Sequence, residues 1–140
     1  MTKPPNWSVD HTSEPGILRC MLRGVIRVED MAEFVVAHNR AVDAMLGRDY
    51  RVWVDLRDLA ALSPEATQIM EQAKQYSAKR ENFQGSAVLV RSDRSLAAMQ
   101  HRRTSVTGGV SDTEFTSDDE NACLQHLARV KRTRREAVAR

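Results

Sequence analysis

The chain has little with which to run side-chain chemistry. Only two of its 140 residues are cysteine, Cys20 and Cys123, and they form no CxxC pair. That excludes a disulfide framework and a zinc knuckle. Cys20 falls on the Leu18/Leu22 face of a strand and Cys123 on the apolar face of the last helix, so each reads as a small buried hydrophobe rather than a nucleophile. The four histidines, His11, His38, His101 and His126, show no HxxxH or HExxH spacing, so no metal centre is expected. Gly108-Gly109 lacks both a GxGxxG pattern and a Lys-Ser/Thr partner, which removes a phosphate-cradling loop. Aromatic residues make up 5%, so the core must be aliphatic, with Met and Ala filling gaps. No apolar run approaches the roughly 18 residues of a spanning helix, and MTKPPNWSVDHT has no apolar signal-peptide core. The expectation is a cytoplasmic protein that does not insert in membranes, uses no cofactor or metal, and is not an enzyme.

What is present is enough for one core. Hydrophobic residues are 41% and charged residues 29%, the balance of a globular domain. The net charge of +2 conceals an asymmetry: residues 129–140 hold six basic residues and one acid, leaving fifteen basic against eighteen acidic in the rest. The body is mildly acidic. The tail reads as a solvated helix end, and no nucleic acid is expected as a partner. The division expected is a lead-in over 1–6, one domain over 7–130 and a basic tail over 131–140.

The periodicity predicts β-β-α-β-α-β-α-β-α. Trp7 to His11 and Ile17 to Val25 alternate and should form a hairpin across the SEPG turn. From Glu29 to Leu46 an apolar stripe (Met31, Phe34, Val35, His38, Ala41, Val42, Met45) marks a helix, in which His38 should be half-buried. Tyr50 to Leu56 is a strand with Val52 and Val54 on one face and Trp53 on the other. Ser63-Pro64-Glu65 opens a helix running to about Arg80: Ser accepts from free backbone donors, Pro presets the first turn and Glu meets the dipole. Gly85 to Val90 is a buried strand. Ser92 or Asp93 should cap a third helix that turns Leu96 and Met99 inward, shows His101-Arg102-Arg103 to solvent and ends near Gly108-Gly109. Asp112 to Thr116 is a last strand, and a capping box over Ser117 to Glu120 starts a last helix. Strands separated by helices imply parallel pairing, so the fold class is α/β, a mixed, mostly parallel sheet of about five strands.

Function in such a sheet gathers where strands end and helices begin, which points to Asp55 through Ser63. A phosphoacceptor role for Asp55 would need a second acidic pair and a lysine at the neighbouring strand ends, and neither is there. Ser63 is first of all a helix cap. A phosphate on it would be favoured by the helix dipole and would change the local charge by nearly two units.

Asp55-Leu56, the following loop and the helix opening at Ser63 resemble the STAS domain, the family of anti-sigma-factor antagonists and of sulfate-transporter cytoplasmic domains, and in particular its small stand-alone bacterial branch. The resemblance runs from about Trp7 to Val130. The family signature is Asp-Leu-Ser, a few residues, then an apolar residue and Asp-Ser-Ser/Thr-Gly. Asp55 and Leu56 match it, Leu59 and Leu62 fit apolar positions, and Ser63 falls at the phosphorylated serine. Arg57 stands for the first Ser, Leu62 for the second Asp, and Pro64-Glu65 for the small residue and Gly. The resemblance implies helices stacked on one side of the sheet and a non-enzymatic regulatory module. Such a module would dock a protein partner, a regulatory kinase or anti-sigma-like protein, through Asp55, Arg57, Asp58, Ser63 and Glu65 and the helix to Arg80, with possible phosphorylation of Ser63. The small residues Ala66, Ala73 and Ser77 leave open a small apolar-ligand or lipid site between helix and sheet. Trp53, on a face with no expected helix, leaves open a homodimer.

Overall fold

A computed structural model describes residues 6–92, 94–105 and 113–132. The chain order is β1 (Trp7–Asp10), β2 (Ile17–Leu22), β3 (Gly24–Ile26), α1 (Val28–Ala44), β4 (Tyr50–Asp55), β5 (Leu59–Leu62), α2 (Pro64–Ala78), β6 (Phe83–Leu89), α3 (Leu96–Ser105), β7 (Glu114–Ser117) and α4 (Glu120–Arg129). Strands β1-β2-β4-β6-β7 form one sheet in that order. The β1–β2 pair is antiparallel and the other three pairs are parallel. This is the mixed five-stranded sheet that the alternation of strand and helix predicts. No helix among the described residues is long and apolar enough to cross a membrane.

The second expected strand breaks in two. At Gly24 the backbone takes a positive φ of 66°, a conformation glycine reaches without steric cost. The chain there leaves the main sheet, and β3 pairs in parallel with β5 as a separate two-stranded sheet. Part of the segment expected as a loop after Asp55 is therefore strand, pinned to the bend by Gly24 N–H donating to the Asp58 carbonyl at 2.8 Å.

The helices divide between the faces. Leu18, Cys20, Leu22, Val52 and Val88 face α1, α2 and α3 in the larger core. Trp53, Ala87 and Leu89 face the other way and are covered by Cys123 and Leu127 of α4. The one-sided stacking expected from the resemblance thus holds for α1 to α3 and not for α4. Trp53 is 5% exposed, and the helix-free face that favoured a homodimer is occupied. An amphipathic stripe dictates that a helix be buried, not on which face.

Capping chemistry sets the helix starts. Ser63 accepts from Ala66 N–H at 3.1 Å, as expected. The cap of α3 is neither Ser92 nor Asp93 (the latter outside the described residues): Ser95 Oγ accepts from Ala98 N–H at 3.1 Å. The buried face also differs from the expected one: Ala97, Ala98 and His101 are buried while Leu96 and Met99 are 53% and 51% exposed. For α4 the cap is Asp119, accepting from Ala122 N–H at 3.2 Å, while Ser117 Oγ accepts from Asp119 N–H. The Gly108-Gly109 helix end, the lead-in before Asn6 and the tail beyond Arg132 lie outside the described residues.

Arg132 is not a solvated tail residue. It is 7% exposed, its guanidinium donates to the carbonyls of Ala78 and Arg80, and it lies over Phe83. A cation there meets the negative end of α2 and satisfies carbonyls that the helix leaves open. The chain reaches that point because Val130 crosses Gly85. A Cβ on Gly85 would sit 2.5 Å from Val130 Cγ2 and 2.9 Å from the Thr113 carbonyl, and its φ is +149°. We expect Gly85→Ala to lower stability by about 2 kcal/mol or more, measured by urea unfolding. Adding Val130→Ala should recover only part, because the Thr113 carbonyl is still in the way.

Candidate functional site

The parallel strands deliver their chain ends to one edge of the sheet, and the rim there is charged. Asp55 ends β4, and Arg57 folds back on it as a two-pronged pair: Nε to Oδ1 at 3.1 Å and Nη2 to Oδ2 at 2.8 Å, with the Arg57 N–H donating to Oδ1 at 3.0 Å. The third prong, Nη1, reaches Glu120 Oε1 in the first turn of α4 at 3.3 Å. Asp58 faces Arg91, just after β6, at 3.7 Å. Partial burial pushes the Asp55 carboxyl up, but hydrogen bonds and charge from Arg57 prevail and hold it below the usual carboxylate range. The Arg57, Asp58 and Arg91 side chains are 47%, 79% and 73% exposed, so this cluster presents fixed charges to solvent.

The five residues singled out from sequence do not converge. Ser63 and Glu65 lie beyond β5, whose four residues span roughly 13 Å of extended chain. They line a shallow groove of about 530 Å³ with Val25, Val28 and Leu62. Ser63 is half-buried, and its Oγ is engaged as the cap of α2.

A second cluster, inside the protein, escapes sequence reasoning. His101, expected on the exposed side of α3, is 1% exposed. Its Nε2 lies 2.8 Å from Glu114 Oε1 of β7 and 3.1 Å from Lys74 Nζ of α2. Lys74 Nζ also lies 3.4 Å from Glu114 Oε2. Burial pushes the Lys74 ammonium down to about 8 against the pull of Glu114. Beside the cluster is a cavity of about 50 Å³ under α2, whose exposed surface is mostly carbon. Of the small residues expected to leave such a space, Ala73 and Ser77 line it, while Ala66 is buried outside it. The available signal was alternation: Glu114 and Thr116 share a face opposite Phe115, and that face is the one beneath α2.

The remaining candidates are structural. Cys20 is buried and its thiol is pushed up to about 12, so it carries no thiolate near neutral pH. Cys123 is buried in the α4 layer. His126 stacks on Phe115 and reaches the Thr113 carbonyl at 3.0 Å. Among the described residues no group of three or more His, Cys, Asp or Glu side chains could hold a metal ion.

No family model matches the chain, and no curated protein matches it. Solved structures do. An uncharacterised protein of the DUF3478 family with a SpoIIAA-like fold, from Shewanella loihica, superposes with a TM-score of 0.62 at 13% identity, over 91% of this chain and 98% of that one. An anti-sigma factor antagonist from Mycobacterium paratuberculosis superposes with a TM-score of 0.53 at 16% identity, over 92% of this chain and all of that one. At these identities the likeness is one of fold, and the fold is SpoIIAA-like, that is, STAS-like.

His38 gives the site a pH signature. It is buried; Nδ1 donates to Asn39 Oδ1 at 2.9 Å, which leaves Nε2 to accept from Ser77 Oγ at 3.3 Å. Burial holds its imidazole below the usual range, with Asn39 opposing. Below about pH 6.5 the unfolded chain takes up a proton that the folded one refuses, so stability is lost as pH falls. We expect unfolding free energy to drop between pH 6.5 and 5. Substituting His38→Gln should flatten that slope, by at most about 1.4 kcal/mol per pH unit.

Proposed function

We propose that the protein is a regulatory interaction module that docks a protein partner at the charged rim of its sheet, through Asp55, Arg57 and Asp58 and onward along the exposed side of α2. The observation that supports this most is the bracketing of Arg57 by Asp55 and Glu120. Two elements distant in sequence hold one guanidinium in a fixed, solvent-facing position, and little ordering is left for a partner to impose. Exposed ion pairs add little to stability, so this arrangement is better accounted for by recognition than by folding. The STAS-like fold, shared with an anti-sigma factor antagonist, agrees with a partner of the regulatory-kinase or anti-sigma type.

Ser63 is the switch in this reading. A phosphoryl group there would add nearly two negative charges beside Glu65 at the start of α2, and its oxygens can accept from the same free backbone donors that Ser63 Oγ now serves. The groove edge would then repel an acidic partner surface and attract a basic one.

Incubation with host lysate and ATP should add one phosphate to the intact mass, and Ser63→Ala should abolish it. An unmodified mass would reduce Ser63 to a cap and remove the switch. With the partner in hand, Arg57→Ala should weaken binding about tenfold or more, while thermal stability changes by no more than about 1 kcal/mol. Unchanged affinity would contradict docking at the rim.

A further inference from the structure

Ser86 is the one polar side chain that β6 turns toward α2, between Val52 of β4 and Glu114 of β7. It is 5% exposed, and its hydroxyl has no hydrogen-bond partner among the described residues. A buried hydroxyl without a partner is costly, so its position needs a reason. It lines the cavity under α2 together with apolar side chains, Val52, Met70 and Ala73 among them, and with the polar His38, Ser77 and the Lys74–His101–Glu114 cluster.

Three properties of that cavity define what fits. The surface it exposes is mostly carbon, which suits an aliphatic body better than water with its need for two to four polar partners. Its size is about 50 Å³; one water takes roughly 10–15 Å³ of such space, so it admits roughly three to five heavy atoms. The charges at its end are matched, the Lys74 ammonium against the Glu114 carboxylate with His101 between them. A ligand bearing its own charge would bring an uncompensated ion into a low-dielectric site.

We infer that this cavity is a binding site for a small neutral amphiphile, a short aliphatic body carrying one hydroxyl or carbonyl oxygen, whose oxygen pairs with Ser86 Oγ. The apolar body fills the space between Val52, Met70 and Ala73. The oxygen completes the hydroxyl that the fold leaves without a partner. This site is separate from the charged rim, and either can fail without the other.

The test uses 1-butanol as the probe and propionate as its charged counterpart with the same number of heavy atoms, each titrated into the full chain and followed by amide NMR shifts. The expected result is saturable shifts at Val52, Ala73 and Ser86 with 1-butanol and none there with propionate at the same concentration. Ser86→Ala, which removes an unpaired hydroxyl and should fold, is expected to weaken 1-butanol about tenfold, the size of one neutral hydrogen bond. No saturable shift with 1-butanol means a cavity that takes no ligand of this class and overturns the inference. Equal affinity for propionate overturns it too, without needing the variant. Unchanged 1-butanol affinity in Ser86→Ala overturns the role of the hydroxyl and with it the class of ligand.

Discussion

Strand β6 is buried at every residue from Phe83 to Leu89, and the rest of the molecule is arranged to seal it. A central parallel strand has to be covered on both faces. One cover is the layer of α1, α2 and α3 on the Val52 and Val88 face; the other is α4 on the Trp53 and Leu89 face. The middle of the strand is Gly85-Ser86-Ala87, three small residues in a row. Small residues let both covers come close. On one side Val130 sits against the bare Gly85 backbone, and the Val130 carbonyl accepts from Arg51 Nε at 2.8 Å. That crossing carries the chain on to Arg132, which closes the end of α2. On the other side Ser86 leaves the space that becomes the cavity.

The polar groups sort into two classes by what water does to them. At the rim, Arg57, Asp58, Arg91 and Glu120 pair in solvent, where each pairing is worth little to stability. Inside, Lys74, His101 and Glu114 tie α2, α3 and β7 together. Buried ion clusters of this sort seldom add net stability, but removal of one member is expensive because it leaves the others uncompensated. The cluster therefore fixes how α3 docks more than how tightly the fold holds. In the proposed reading, recognition and register are carried by different charges in different dielectrics.

Much of this was legible in the sequence because it is local. The alternation in Ile17 to Leu22 and Tyr50 to Asp55, the stripe from Met31 to Val42 and the Ser63-Pro64-Glu65 start each state their element within a few residues. What was not legible depends on partners far along the chain. Strand β3 has three residues and β5 has four, too few for a period, and each is a strand only because the other lies beside it. The face chosen by α4 is a property of the finished sheet. His101 looked solvent-facing next to Arg102 and Arg103. What holds it inward is Lys74, 27 residues away, and Glu114. Asp55 and Arg57 were legible as strand-end residues, but not their link to Glu120, which joins them from 63 residues on.

The central claim is that the working surface lies at the carboxyl edge of the sheet and not elsewhere on the exterior. In-cell photo-crosslinking tests it most directly, with a photoreactive residue placed at Asp58 on the rim and, separately, at Arg48, exposed in the turn before β4 at the opposite edge. The account predicts a discrete crosslinked product from position 58, lost when Arg57→Ala is added, and none from position 48. The same product from both positions, or a product from position 58 indifferent to Arg57, would contradict it.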